Sequence, residues 1–284
     1  MDVAPRALAA GTRTVARLLR APGGIAGLSI AGALVAAAVL AGHLAPGDPL
    51  APVAPPLSPP SRAHLMGTDD LGRDLLAGIL HGLRTSLVVA FAVTAVSAPI
   101  GIGVGALAGY RRGVVDDALM RVAEMVQVVP RFFLAVVVIA LFGPGLDRLV
   151  LLLGLTSWPW IARIVRAEVL SLRTRAFVEA SRGLGAAPAR TLVREVMPHA
   201  LPPAVVIVSL NAAAVILLEA GLSFLGLGDP ARVSLGYLAS NAQRFLRVAW
   251  WMALFPGAAI ALAVLAWNLL GDALNDALEP RSPR

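Results

Sequence analysis

Long apolar runs separated by short polar segments rich in arginine dominate the pattern of this chain. An α-helix rises about 1.5 Å per residue, so roughly 20 apolar residues cross the hydrocarbon core of a bilayer. The apolar runs that approach this length predict an all-α, polytopic integral membrane protein with six transmembrane helices. The predicted spans cover 25–45, 87–108, 118–142, 146–165, 203–224 and 250–270.

The first apolar run has two interpretations, because it follows a segment with several arginines, as the core of a signal peptide does. Its apolar stretch is longer than is typical of signal peptides, and no convincing small-x-small cleavage site follows. We therefore expect an uncleaved anchor over 25–45, preceded by a cytoplasmic segment over 1–24.

Composition supports a membrane protein and gives its orientation. Hydrophobic residues make up 58% of the 284 residues and charged residues only 14%, with a mean hydropathy of +0.78. The net charge of +7 raises the question of nucleic acid, but the arginines lie in the connections between apolar runs. The N-terminal segment, the connections at 111–112 and 163–194, and the C-terminal tail hold about twice as many arginines as the connections on the other side of the membrane. Arginine is in excess on the cytoplasmic side of membrane proteins, so we expect these segments and both termini in the cytoplasm. We therefore expect a membrane lipid environment and no nucleic-acid partner.

Two residue types are absent from the chain, and their absence limits the chemistry that it can carry out. All 24 basic residues are Arg, and the chain has no Cys. A phosphate-binding loop of the G-x-x-x-x-G-K-[ST] type needs Lys, so any ATP hydrolysis is expected on another chain. We find no nucleophile–base pair and no metal-ligand spacing among the four His, so we expect no catalytic residue and no metal site. His43, His64 and His81 fall on the predicted outer side, however, which leaves nickel transport as an alternative.

The first external connection, 46–86, divides into two parts. A proline-rich stretch over 46–60 predicts an irregular or extended spacer. After it, Thr68 or Asp69 can cap a helix with apolar positions at helical spacing, which predicts an amphipathic helix on the membrane surface. The alternative is a helix packed on the protein's own outer face. The apolar positions are Leu71, Leu75, Leu76, Ile79, Leu80 and Leu83.

A polar, arginine-rich interruption separates the fourth and fifth apolar runs, and we call residues 172–200 the coupling loop. The pattern predicts a helix over 175–183, a hinge at Gly185 and a second helix from Pro188. Such a compact helix–turn–helix offers a rigid surface to a soluble partner. The alternative is a solvated basic connector.

Polar residues within the spans are candidates for a passage, since ionisable side chains in a bilayer are costly and usually face the protein interior. Glu124, Gln127 and Arg131 recur at i, i+3 and i+7, which places all three on one helix face, and Pro130 is a position where this helix can kink. We expect this face to line a passage where Arg131 attracts a carboxylate. The alternatives are an internal Glu124–Arg131 pair bridged by Gln127, and a carboxylate on a partner chain. Asn211 and Glu219 are weaker passage candidates, for which helix–helix hydrogen bonds are the stronger alternative.

The coupling loop resembles the EAA loop of permease subunits in bacterial ABC importers. The resemblance lies in Glu179-Ala180-Ser181, in Gly185 and in Met197-Pro198, with Ser181 in place of the usual second Ala. Together with further motifs, it extends over 25–280 and is similar to the C-type permease of oligopeptide, dipeptide and nickel transporters. Those motifs are Gly67-Thr68-Asp69-Asp70-Leu71-Gly72-Arg73-Asp74, Trp158-Pro159 with Ala162-Arg163, Glu219 to Gly228, and Asn268-Leu269 with Gly271-Asp272.

This resemblance implies a type I ABC importer permease fold in the bacterial inner membrane, with a core over 87–275 and a cytoplasmic tail over 276–284. The implied partners are a homologous second permease, two cytoplasmic ATPases that carry ATP and Mg, and an external solute-binding protein. Short peptides are the implied substrate, nickel or a metal chelate is the alternative, and a non-ABC secondary carrier is a remote one. The implied ATPase-coupling residues are Glu179, Ala180, Ser181 and Gly185, with Arg175, Arg182 and Arg190 as interface charges.

Overall fold

A computed structural model describes residues 17–278, so the predictions for 1–16 and 279–284 lie outside the described residues. Within this range the regular elements are helices, and the one β-bridge joins Thr68 to Asp74. The helices are α1 (Pro22–Val39), α2 (Ala41–Leu44), α3 (Leu75–Arg111), α4 (Gly113–Val128), α5 (Arg131–Phe142), α6 (Leu146–Leu172), α7 (Ala176–Gly183), α8 (Pro188–Thr191), α9 (Met197–Phe224), α10 (Leu235–Ala242) and α11 (Trp251–Leu278).

The number of spans depends on how one bent pair of helices is counted. Among the described residues, five helical segments are long and apolar enough to cross a membrane, namely α1, α3, α6, α8 continued into α9, and α11. The pair α4 and α5 passes the same test together, but the two helices bend by 72° at their junction. The predicted all-α polytopic fold is therefore confirmed, and the third of the six predicted spans is a broken one.

The predicted surface helix is not a separate element. Helix α3 runs unbroken over 37 residues, so the segment before residue 87 is the first part of the second span. Asp74 caps it, because its side chain accepts a hydrogen bond from the Ala77 amide, and neither Thr68 nor Asp69 is the cap. Leu75 and Leu83 are buried while Leu71 lies outside the helix and is exposed. The apolar spacing was therefore a signal of internal packing, not of a membrane surface.

Small residues bring α3 and α6 into close contact. Gly101, Gly105 and Gly109 recur every four residues along α3 and face α6. A Cβ at Gly105 would lie 2.4 Å from the Ala162 carbonyl oxygen, and one at Gly109 would lie 2.8 Å from the Arg166 carbonyl oxygen. Lipid tails are as apolar as the helices, so the hydrophobic effect does not drive helices together within a membrane. The small residues instead let the two backbones approach closely enough to pack.

The outer ends of the helices carry a folded connection. The proline-rich stretch 46–60 forms no helix, as predicted, and the following turn packs on the start of α11. The Trp251 indole donates a hydrogen bond to the Thr68 carbonyl at 3.1 Å. Gly67 lies beneath the same indole with a φ of +76°, where a Cβ would come within 2.8 Å of Nε1. At the opposite end, Arg17 donates to the Ala277 carbonyl at 3.3 Å, so the two described chain ends meet on one face.

Candidate coupling loop and membrane passage

The coupling loop folds as the sequence predicts, with α7 over Ala176–Gly183 and α8 beginning at Pro188. Helix α7 ends in a Schellman motif, in which the Ala186 amide donates to the Ser181 carbonyl at 3.2 Å and the Gly185 amide to the Arg182 carbonyl at 2.9 Å. The motif requires a left-handed residue, and Gly185 supplies it with a φ of +80°. The turn between the two helices is thus fixed by hydrogen bonds.

One face of α7 holds the loop against the membrane helices. Val178 is fully buried in an apolar cluster with Val169 of α6 and Val196 beyond α8. The Arg182 guanidinium stacks over the Tyr110 ring, 5.1 Å from its centroid, at the end of α3. The Arg173 guanidinium donates to the Tyr110 carbonyl at 3.0 Å. Helix α7 and its flanking residues are therefore in contact with the ends of both α3 and α6.

The opposite face of the loop is open. Its exposed members include the predicted coupling residues, while Ser181 is half-buried. Leu184 follows α7 and is 90% exposed, more than any other large hydrophobic residue among those described. The resemblance did not single out Leu184, although an apolar residue between Gly183 and Gly185 in a polar loop was a signal for a contact surface. The exposed predicted residues are Arg175, Glu179, Ala180, Arg182, Gly185 and Arg190.

Positive charge is concentrated at the base of the loop. Burial, followed by the like charges of Arg112 and Arg182, lowers the pKa of Arg173. No carboxylate lies within ion-pair distance of these three guanidinium groups in the described part of the chain. The arrangement favours an anionic surface opposite the loop.

A π-helical turn over Leu192–Val196 joins α8 to α9. The reason lies in Pro198, whose ring has no N–H and clashes with the carbonyl four residues earlier in a regular α-helix. Widening the preceding turn relieves that clash, and such π turns are frequent at functional sites. The coupling loop therefore enters the fifth span through a locally widened helix.

The predicted polar stripe in the third span is broken. Pro130 separates α4 from α5, so Glu124 and Gln127 belong to one helix and Arg131 begins the next. The prediction of a single shared face is therefore wrong, because the break at Pro130 is a 72° bend between two separate helices. No ion pair joins Glu124 to Arg131 among the described residues, which removes the internal-pair alternative within this conformation. Glu124 is exposed, and Gln127 is half-buried.

Arg131 lies deep in the membrane part of the protein. It is half-buried, and its guanidinium has one side-chain contact, a 3.5 Å hydrogen bond to the Ser157 hydroxyl. Ser157 lies near the middle of α6 and is fully buried. With a helical rise of about 1.5 Å per residue, it is about 17 Å from the start of α6 and about 23 Å from its end. No carboxylate approaches within 4 Å of Arg131 in the range 17–278.

The two polar candidates in α9 are both buried. Glu219 is 1% exposed and accepts hydrogen bonds from the hydroxyls of Ser86 in α3 and Ser223 in α9, each at 2.7 Å. This geometry is that of a helix–helix hydrogen bond, which was the stronger alternative to a passage role for Glu219. Asn211 is 5% exposed, and its Nδ2 has no hydrogen-bond partner among the described residues.

The histidines are dispersed. His64 bonds to the Asp74 carboxylate at 2.7 Å, His81 to the Ala45 carbonyl at 3.2 Å, and the His199 ring packs beside that of Phe177. Within residues 17–278, no group of three or more potential ligands is arranged to hold a metal ion. His64, His81 and His199 therefore each contact another part of the protein.

Comparison with known proteins identifies the family. Residues 101–283 match the family described as the binding-protein-dependent transport system inner membrane component. The chain belongs to this family. It therefore is a multi-pass membrane permease subunit of an ABC transporter with the type I permease fold, as the resemblance implied.

Individual relatives cover most of this permease. It is 40% identical over 271 residues to a Brucella suis protein described as a peptide transport system permease, an alignment that covers 94% of this chain and 91% of that one. It is 38% identical over 232 residues to the di/tripeptide transport system permease protein DppC of Pseudomonas aeruginosa, with coverage of 79% and 77%.

Proposed function

We propose that this permease imports short peptides and forms half of the passage together with a homologous second permease subunit. The names of its relatives support a peptide substrate over nickel. The dispersed histidines of residues 17–278 give the nickel alternative no support. An external solute-binding protein delivers the peptide, and two cytoplasmic ATPases with ATP and Mg supply the energy, while this chain itself catalyses no reaction.

The observation that carries the proposal is the coupling loop, which is exposed on one face and anchored on the other. Exposed Leu184 enters an apolar groove of the ATPase, and the surrounding arginines meet its acidic groups. Val178 and the Arg182–Tyr110 contact then pass the ATPase motion to α3 and α6. This function places the coupling loop and both termini in the cytoplasm, in agreement with the distribution of arginines.

Arg131 is the proposed contact for the peptide in the passage. Two features of the broken span support this role. The first backbone N–H groups of α5 have no partner within their helix, and together with the helix dipole they favour a negative charge at its start. The guanidinium at the same position carries a full positive charge without a nearby carboxylate among the described residues. Interrupted membrane helices bind the carboxylates of substrates in this way in other transporters.

The test of the function is ATP-dependent uptake of a labelled tripeptide by the complete transporter reconstituted in proteoliposomes. We compare Gly185→Val with Gly183→Val, since Gly185 has a φ of +80° and Gly183 has open space around its Cβ position and an ordinary helical backbone. A β-branched residue costs roughly 1–2 kcal/mol or more in the left-handed region, so the loop changes shape only in Gly185→Val.

Uptake should fall severalfold in Gly185→Val and remain near the original rate in Gly183→Val, with both permeases still assembled. A further variant, Leu184→Ser, should weaken retention of the ATPase about tenfold, because burying a leucine is worth about 1.5–3 kcal/mol. Normal uptake and ATPase retention in both Gly185→Val and Leu184→Ser would contradict the proposed coupling. Absence of peptide uptake by the unmodified transporter would contradict the substrate.

A further inference from the structure

A small polar cavity opens on the face opposite the coupling loop, and we call it the outer pocket. Its volume is about 250 Å³. Pockets for drug-sized ligands measure roughly 300–1,000 Å³, so the outer pocket suits a small molecule. The turn before α3 provides one wall, and the end of α10 with the residues after it provides the other. The lining residues are Asp70, Ser240, Asn241, Gln243, Arg244 and Phe245.

Asp70 lines the outer pocket with a half-buried side chain, and one of its two carboxylate oxygens lacks a partner within residues 17–278. The Oδ1 atom of Asp70 is buried and accepts no hydrogen bond from any described residue. A buried acceptor without a partner costs about 1–3 kcal/mol, and more when it is charged. Arg244 lines the same cavity, yet no ion pair of 4 Å or less joins it to Asp70. Two opposite charges therefore share the pocket without neutralising one another.

Both walls of the outer pocket are held in place. The neighbouring Asp69 uses its Oδ1 to accept the amides of Leu71 and Arg73 at 2.9 and 2.8 Å, which fixes the turn that carries Asp70. The Arg73 guanidinium then donates to the Tyr237 hydroxyl of α10 at 3.1 Å and links one wall to the other. The turn that carries Asp70 is thus tied to helix α10 on the other wall.

The charges of the pocket define its ligand. Asp70, on the wall formed by the turn before α3, attracts a cation. Arg244 attracts a carboxylate, and the amide side chains of Asn241 and Gln243 can hydrogen-bond a peptide group. A short peptide with free termini carries all three of these groups, whereas a lysine side chain of a partner protein carries only the first.

We propose that the outer pocket binds a short zwitterionic peptide, with Asp70 accepting its terminal ammonium and Arg244 facing its carboxylate. This proposal rests on the proposed peptide import and adds a binding site ahead of the passage. The pocket selects for free peptide termini after the peptide leaves the external binding protein.

The experiment is saturation-transfer NMR on the complete permease–ATPase complex in nanodiscs, without the external binding protein. The probes are dialanine, N-acetyl-dialanine and dialanine amide. All complexes carry Arg131→Met, which removes the proposed passage contact. In this background, Asp70→Asn should weaken dialanine binding roughly tenfold, the effect of losing one charge-assisted hydrogen bond, and leave N-acetyl-dialanine unaffected.

Arg244→Gln provides the second arm, and its side chain is exposed, so the fold does not depend on it. It should weaken dialanine several-fold and leave dialanine amide unaffected. The matched controls, Asp229→Asn and Arg247→Gln, lie outside the pocket on the same connection and should change no affinity.

Equal effects of Asp70→Asn on dialanine and N-acetyl-dialanine, or no effect on either, would overturn the proposal. The uptake assay with the unmodified transporter is independent of these outcomes, so failure of peptide import and failure of the outer pocket are distinguished.

Discussion

Two pairs of helices differ sharply in how they pack. Helices α3 and α6 meet through a glycine stripe that admits no added carbon atom, and many of their facing side chains are buried. Helices α4 and α5 form a span bent by 72°, and large apolar residues such as Met125 and Phe133 are more than 60% exposed. The close packing of the first pair favours movement of α3 and α6 as one body. The second pair leaves a largely apolar surface exposed, with Arg131 next to its bend.

The two regions are joined by one ion pair. Asp116 in α4 is buried and accepts a hydrogen bond at 2.7 Å from the Arg166 guanidinium in α6. Asp116 lies in the first turn of α4, where the helix dipole stabilises an acidic residue. The structure shows that it also fastens the broken span to the rigid pair.

The largest effect is expected from closing the space between α3 and α6. In Gly105→Ala, the new Cβ would lie 2.4 Å from the Ala162 carbonyl oxygen, whereas at Gly103 a Cβ meets nothing within 4 Å. Gly105→Ala should destabilise the protein by about 3 kcal/mol, the upper part of the usual overpacking range. Gly103→Ala should be neutral or slightly stabilising. Unfolding from mixed micelles with increasing SDS measures the difference, and equal midpoints for the two variants would refute the tight pairing.

A smaller effect is expected from releasing the broken span. Asp116→Ala removes a partner from a partly buried charged hydrogen bond and should cost about 2 kcal/mol. Asp117→Ala changes an exposed neighbour that forms no ion pair of 4 Å or less with any residue in 17–278, and it should cost under about 0.5 kcal/mol. The same SDS titration serves here. Comparable losses in both variants would show that dipole stabilisation, not the link to α6, explains Asp116.

The smallest effect on stability, and a selective effect on transport, is expected at Arg131. Its one side-chain hydrogen bond is long and goes to a neutral hydroxyl, so Arg131→Met should change stability by less than about 1 kcal/mol. At saturating ATP, uptake of a free tripeptide should fall about tenfold, and uptake of its C-terminal amide should not change.

Arg131→Lys is the control for Arg131→Met, because it keeps the charge and should retain most of the uptake. An equal loss for the free acid and the amide, together with a less stable assembly, would instead favour a partner-chain carboxylate as the contact for Arg131.

The pattern of apolar and polar residues was sufficient to predict the elements that depend only on residues close together in the sequence. The spans and the fold class follow from the length of the apolar runs relative to the thickness of a bilayer. The Gly185 turn follows from a residue that readily adopts a positive φ, and the start of α8 follows from a proline whose fixed φ suits the first turn of a helix.

Tertiary packing decided what depends on neighbours distant in sequence. It extended α3 to Leu75, because burial and the Asp74 cap replaced the surface predicted from spacing alone. It placed Glu219 between two serines, one of them 133 residues away, so a polar residue in a span became a helix–helix contact. It also set the bend of the third span at 72°, since Pro130 marks the position of a kink but does not determine its angle.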